Sequence, residues 1–205
     1  MDVRLACPFT MLVCGASGSG KSCFTRKLLN SKYDMMVAPP TRTIWCYGVW
    51  QPEFSLDPFE FHQGLPTEDI LSDGNMILVI DDLMQQAKSS SVVSDIFTKY
   101  SHHKNISCIC LLQNLFPKGS EMRNISLNAN YIALMNNARD RAQIRCLASQ
   151  VYPGNSRFLT KAYEDATKDA YGYLFLDFKN TTSEQIRVRS GIFPGERMFA
   201  YTTTI

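Results

Sequence analysis

An α/β fold, with a mostly parallel central sheet flanked by helices on both faces, is the class this sequence predicts. Three observations lead there. Runs such as MILVI (76–80) and CICLL (108–112) are apolar at every position, as strands buried on both faces are. Segments compatible with helix separate these runs, the alternation expected when helices cross over a parallel sheet. The first run ends in a glycine-rich turn that opens straight into a helical stretch, GASGSGKSCF (15–24). With 205 residues, 45% hydrophobic and 20% charged, the chain suits one compact domain over 1–205, its core at about 8–150 and further helices and strands over 151–205.

Taken in order, FTMLVCG (9–15) is the first strand and KSCFTRKLLNS (21–31) the first helix. TIWCYGVW (43–50) follows as a strand, rich in the side chains strands favour. Residues 49–65, with Pro52 and Pro58, read as loop. A short helix near 66–72 precedes the strand NMILVI (75–80), and SSVVSDIFTKYSHH (90–103) reads as helix. ISCICLL (106–112) is a strand, NLFPKGSE (114–121) a loop leading to a short helix, and YIALM (131–135) a strand. Helices over about 138–149 and 155–170, then strands in YGYLFLDF (171–178) and QIRVRSG (185–191), complete the chain; no repeat or low-complexity segment interrupts it.

Composition excludes several classes. A formal net charge of +2 is too small to argue for nucleic acid by itself. The seven cysteines are odd in number, lie mostly in apolar runs and lack a C-x-x-C pair, so they read as buried thiols of a reducing compartment. The N-terminal Met-Asp carries no basic region of a secretory signal, and no apolar run approaches the ~20 residues of a membrane span. A soluble, intracellular, non-secreted protein without membrane attachment is expected.

The chemistry concentrates at the first strand-to-helix junction. Gly15, Ala16, Ser17, Gly18, Ser19, Gly20, Lys21 and Ser22 fit G-x-x-x-x-G-K-[ST] without mismatch, and Cys23 follows as the next helical residue of this nucleotide-binding segment. Small residues let the loop curl so that its backbone N–H groups surround a phosphate, and the helix N-terminus adds its positive end. Lys21 then reaches the β and γ phosphates, and the Ser22 hydroxyl ligates Mg2+. The plainer alternative is a glycine-rich turn capped by serine.

Such a loop needs a second strand, beside the first, ending in a carboxylate for the magnesium shell, and Asp81 at the end of MILVID is so placed. Alone, Asp81 reads equally as a helix cap. Asp82 is the more informative acid: hydrolysis by water needs a group that orients and deprotonates it, whereas direct transfer to a bound acceptor does not. Gln113, after the strand ISCICLL, is a polar residue of the kind that, in ATPases with an additional central strand, lies between the first two motifs and senses the γ-phosphate; its plain reading is an amide that begins a loop.

GASGSGKS, ILVIDDL and YSHHKNISCICLLQN, with MRNISLNANYIALM after them, resemble the genome-packaging ATPases of double-jelly-roll DNA viruses and Polinton-type elements, within the FtsK/HerA-like P-loop ATPases. The likeness spans roughly residues 8–150, and the stretch from HHKNIS to LLQN is its more diagnostic part. It implies a RecA-like (ASCE) P-loop NTPase core that uses ATP and Mg2+. It also implies a homo-oligomeric ring, pentamer or hexamer, that translocates double-stranded DNA and docks on capsid vertex proteins, in the host nucleus or cytoplasm or at the virion vertex.

One departure stands out. Members of this division commonly offer an arginine to the neighbouring subunit from the turn before the NIS strand, where this chain has Ser101, His102, His103 and Lys104. Histidine loses its proton near neutrality and is a poor substitute. Lys104 could serve; Arg123 is the preferred alternative, with Arg139 and Arg141 next, and for each the plain reading is a solvated surface charge. The adjacent histidines diverge in direction and lack partners at metal-ligand spacing. For DNA, Lys118 and Arg123 are candidates for a channel loop, with Arg141 and Arg145 on one helix face and Arg187 and Arg189 on one strand face as further groups. Two other classes remain: a P-loop kinase whose lid would gather Arg139, Arg141 and Arg145, and a nucleotide-binding virion scaffold without turnover. A GTPase is disfavoured because no N-K-x-D or T-K-x-D occurs.

Overall fold

The structure, a computed structural model, describes residues 2–88, 90–116 and 120–203. A two-residue strand, β1 (Leu5–Ala6), precedes β2 (Thr10–Cys14), which is buried at every position. Helix α1 (Lys21–Asn30) and a single turn, α2 (Lys32–Met35), lead to β3 (Met36–Val37), which pairs with β1 as a separate parallel ribbon. β4 (Arg42–Tyr47), β5 (Glu60–Gln63), α3 (Glu68–Asp73) and β6 (Met76–Asp81) follow. The crossing to β7 (Ile106–Leu112) runs through α4 (Met84–Lys88), α5 (Val92–Asp95), a π-helical turn over Ile96–Tyr100 and α6 (Ser101–His103). α7 (Ser120–Leu127) crosses to β8 (Tyr131–Met135), and α8 (Arg141–Val151) and α9 (Ser156–Ala166) lead to β9 (Tyr173–Asp177). β10 (Val188–Ser190) and β11 (Phe199–Tyr201) close the described chain.

Among the described residues nine strands form one sheet in the order β11-β10-β9-β8-β2-β7-β6-β4-β5. The six from β8 to β5 are mutually parallel, and β9, β10 and β11 extend the β8 edge antiparallel to their neighbours. Parallel pairing brings all the C-terminal ends of the six to one edge, where ligands of such sheets bind. The register sets Tyr47, Asp81, Leu111 and Val13 in one row across β4, β6, β7 and β2.

The two faces are covered unequally. One carries Leu78, Ile80, Cys108, Cys110, Ile132 and Leu174 under side chains of α5, α7, α8 and α9, among them Val93, Ile125, Leu147 and Leu159. The other carries Met11, Val13, Ile77, Val79, Ile109 and Ala133 under Phe24 and Leu28 of α1, with Phe54 and Phe193 filling beyond the helix from loops. Each fully buried large apolar side chain contributes roughly 1.5–3 kcal/mol, so both layers are needed.

The chain departs from the expected elements in several places, the short β1, α2 and β3 among them. Residues 49–65 contain a 3-10 turn over Pro52–Leu56 and the edge strand β5; its four residues, Glu60, Phe61, His62 and Gln63, are too short and polar to signal a strand. The helix expected over 90–103 is present without interruption from Val92 to His103 but widens into a π-helical turn over Ile96–Tyr100, where the Thr98 hydroxyl donates to the Ser94 carbonyl (2.8 Å) and competes with the backbone ladder. β11 was not expected at all. The thiols are free, but Cys23 and Cys146 are exposed and Cys7 is half-buried, so only four of the seven are core residues.

Candidate active site

β2 is apolar throughout, runs into Gly15, and Gly15 N–H still donates to the Leu112 carbonyl at the end of β7 (3.0 Å). A Cβ on Gly15 would lie 2.5 Å from the Ser19 hydroxyl and 2.6 Å from the Met135 side chain, so only glycine lets the loop turn here. Gly20, at φ 94°, caps α1 in a left-handed conformation that side-chain-bearing residues rarely adopt. No acidic residue lies in the first turn of α1 and no side chain caps it, so its amides remain free to meet an anion. Ser19 Oγ is buried without a hydrogen-bond partner.

Lys21 Nζ donates to the carbonyls of Gly15 (2.8 Å) and Ala16 (2.9 Å). These are neutral partners within the loop, readily exchanged for phosphate oxygens. Burial lowers its pKa, a shift partly opposed by the negative charges of Asp81 and Asp82. Ser22 follows on the first turn of α1, half-buried, and Cys23 is exposed.

Asp81 lies level with Val13, but β7 stands between their strands, so the acid is not on the neighbouring strand that the sequence suggested. Two strand spacings separate β6 from β2 by ~10 Å. That gap leaves room for a hydrated ion between Asp81 and the loop. Asp81 is buried and accepts from the indole N–H of Trp45 through Oδ2 (3.2 Å). Burial raises its pKa; the Trp45 bond opposes this, Asp82 adds to it, and Lys21 and Arg26 lower it.

Asp82 turns out of the strand at φ 54°, a left-handed conformation that Asp tolerates better than most residues. The turn aims its carboxylate away from the sheet core, and Gln113 Nε2 donates to Asp82 Oδ1 at 3.5 Å. The two residues named for water and for γ-phosphate sensing thus meet directly at the ends of adjacent strands.

An open cleft of about 700 Å³ runs along the loop's first half, lined by Ala16, Ser17, Gln113, Asn114, Arg139 and Asp140 among others. The other basic candidates fall elsewhere. Lys104 precedes β7, roughly 23 Å from Gln113 along a strand of 7 residues, and its ammonium lies 4.6 Å from the Tyr100 ring centroid. It cannot reach the loop of its own chain. Arg123 is exposed on α7. Arg141 pairs with Glu164 of α9 (3.7 Å) and Arg145 is exposed; of the three arginines of a kinase lid, Arg139 alone lines this cleft. Lys118 lies outside the described residues.

The expected DNA-facing pair of Arg187 and Arg189 is corrected by its burial. Arg189 is 1% exposed and pairs with Asp177 at 3.3 Å, and Arg187 is held by Glu184 and by the carbonyls of Asp177 and Thr182. Neither is available to a phosphate backbone.

Two residues at the site escaped sequence reading. Trp45 bonds Asp81 only because of the β4–β6 register, which no local pattern announces. Arg26 lies one turn after Ser22; its guanidinium stacks over Trp45 and Phe54 and pairs with Asp57 (2.7 Å), leaving Nη2 buried without a partner. A charged residue one turn past the motif was the available signal. Among the described residues, no group of three or more His, Cys, Asp or Glu side chains forms a separate metal centre, and no helix is long and apolar enough to cross a membrane.

No family model and no curated protein sequence matches this chain. Solved structures do. The genome packaging NTPase B204 from Sulfolobus turreted icosahedral virus 2, in complex with sulfate, is 11% identical with a TM-score of 0.60, over 96% of this chain and 97% of that one. The same NTPase in complex with ATP-gammaS is 12% identical with a TM-score of 0.55, over 97% and 98% of the two chains. B204, the DNA-packaging ATPase from Sulfolobus Turreted Icosahedral Virus, is 11% identical with a TM-score of 0.59 over the full length of both chains. Likeness at this identity is a likeness of fold. The chain therefore has the fold of these P-loop NTPases.

Proposed function

We propose that this chain is a magnesium-dependent ATPase that works as a DNA-translocating motor in packaging a viral or transposon genome. The observation that carries the reading is the insertion of β7 between β2 and β6, which brings Gln113 to Asp82 beside the phosphate-binding loop. A strand in that position joins the sensing residue to the acid that handles water, an arrangement suited to hydrolysis and not required for direct transfer.

The residues fit a bound magnesium ion: Asp81 is buried with a single described donor and keeps acceptor capacity, and Ser22 offers a hydroxyl at the start of α1. Ser22 and Asp81 would hold the ion, which would supply charge neutralisation on the terminal phosphates. The amides from Ala16 to Cys23 hold the phosphates, and Lys21 leaves the Gly15 and Ala16 carbonyls to reach the terminal ones. Asp82 accepts a proton from the attacking water and Gln113 orients that water and registers the γ-phosphate. A basic residue of a neighbouring copy, Lys104 or Arg123, completes the site in a homo-oligomeric ring. Arg139, on the cleft wall, acts within its own chain.

The partners of this reading are double-stranded DNA, further copies of the chain and capsid vertex proteins. Release of inorganic phosphate with and without duplex DNA tests it. The expected result is magnesium-dependent hydrolysis stimulated by DNA, with DNA binding that weakens steeply as salt rises. Turnover only when a phosphate acceptor is added would replace this reading by a kinase, and nucleotide binding without turnover by a scaffold. Native mass measurement with an ATP analogue and duplex DNA gives the subunit number.

A further inference from the structure

The phosphate-binding loop has a second cleft at its other end. About 420 Å³ in volume, it is lined by Gly20, Cys23, Lys27, Tyr171, Phe193 and Glu196, with Met135 at its base. It begins where the loop ends, so a nucleotide whose terminal phosphates lie near Lys21 and Asp82 carries its sugar and base past Ser22 toward this cleft.

Three features make the cleft more than a gap. Tyr171 is 71% exposed and has φ 61°, an unusual conformation for a bulky side chain. Its ring lies against the last glycine of the loop: a Cβ on Gly20 would sit 2.9 Å from Tyr171 Cδ1. A flat aromatic face is thus held open to solvent at the loop, in a geometry that strain opposes. Another wall comes from the segment after β10, where Glu196 is held by two side-chain donors. Lys27 of α1 donates to its Oε1, the Tyr173 hydroxyl donates to its Oε2 (2.7 Å), and the Ile192 amide in turn donates to Tyr173 Oη (2.8 Å). The Lys27 ammonium also sits 4.3 Å from the Phe193 ring centroid, and Phe193 stacks edge-on with Phe24 and Tyr173. A carboxylate has no proton to give, so its unused lone pairs can only accept.

We propose that this cleft takes the base of the bound nucleotide, an amino-bearing purine, with its ring face on Tyr171 and its exocyclic amino group donating to Glu196. This rests on the ATPase reading of the loop and adds to it the residues that select the base. A ring carbonyl in place of the amino group would face the Glu196 carboxylate acceptor to acceptor, so an inosine nucleotide is disfavoured. The same contacts tie the segment after β10 to α1.

The test compares magnesium complexes of ATP, ITP and inorganic tripolyphosphate, by calorimetry and by thiol labelling of Cys23, with exposed Cys146 as internal control. Wild-type chain should bind ATP more tightly than ITP and ITP more tightly than tripolyphosphate, and ATP alone should strongly protect Cys23. Tyr171→Ala should weaken ATP about tenfold or more while leaving tripolyphosphate unchanged, and Tyr171→Phe should restore it. Glu196→Gln should narrow the preference for ATP over ITP. ATP binding no tighter than tripolyphosphate, or an unchanged ratio in Tyr171→Ala, overturns the base subsite and leaves the loop reading standing. Failure of ATP and tripolyphosphate alike to bind the wild-type chain overturns both.

Discussion

Two buried aspartates end two strands of one sheet, and they do opposite things. Asp81 closes β6 at 8% exposure, and Asp177 closes β9 at 5%. Asp177 accepts from both terminal nitrogens of Arg189 (3.3 Å each), from the Thr182 hydroxyl (2.9 Å) and from the Lys179 amide (3.1 Å). Asp81 accepts from Trp45 alone among its described partners. At similar burial Asp177 is spent on structure, and Asp81 is left with lone pairs and a charge that its surroundings do not match. The antiparallel extension can close its charges internally because β9, β10 and the turn between them arrive together. The parallel edge leaves its charges open because loops diverge from the strand ends, and an open buried charge is where an external cation or phosphate gains most.

That contrast can be broken by measurement. The largest effect expected is from Lys21→Ala, which should abolish ATP hydrolysis in a phosphate-release assay while leaving the far-ultraviolet spectrum and unfolding midpoint close to wild type. Asp82→Asn should lower turnover by about 10²- to 10⁴-fold with ATP affinity retained. Retained turnover in that variant would make Asp82 a bystander. Asp82→Glu, adding the methylene found in many ATPases at this position, asks whether the shorter acid is tuned.

On the structural side, Asp177→Asn should destabilise the fold by about 3–5 kcal/mol in denaturant unfolding, since it leaves Arg189 buried without its counter-charge. A loss as small as that of a surface substitution would erase the distinction between the two acids.

The smallest effect concerns pH. Burial raises the folded pKa of Asp81 above its unfolded value, so the penalty is absent while the acid is protonated in both states. It grows as pH rises from the ordinary carboxylate range through the raised folded value. Asp81→Asn should therefore match wild type in unfolding free energy near pH 4 and become the more stable protein toward neutrality. Mg2+ with ATP should narrow that difference by stabilising the wild type. A variant that loses stability on rising pH as fast as wild type would place the titrating group elsewhere.

Much of this site was legible one residue at a time. The loop from Gly15 to Ser22 could be read because its chemistry is local: glycines where the backbone has no room, a lysine and a hydroxyl at fixed offsets on a helix start. Asp81, Asp82 and Gln113 were legible because apolar strands announce their own ends. Arg187 and Arg189 were misread as exposed because alternation in a short strand gives two faces without saying which is covered. β10 sits between β9 and β11, and the inward face holds Arg189 over the Phe175 ring at 4.9 Å. β5 and β11 were missed for a related reason: both strands nearest the sheet's edges are short and half-exposed, so pairing with a neighbour defines them and their own composition does not.

By itself, then, the sequence determined the α/β class, the glycine-rich turn between β2 and α1 and the identities of the acids at the strand ends, because hydrophobic periodicity and backbone sterics act over a few residues. Only the tertiary structure decided that β7 separates β2 from β6, that Gln113 meets Asp82, that Trp45 holds Asp81, and that Tyr171 stands over the end of the loop. Those contacts join residues from 20 to 171 through strand order and register, which are fixed by the balance of both packed faces and by no single segment.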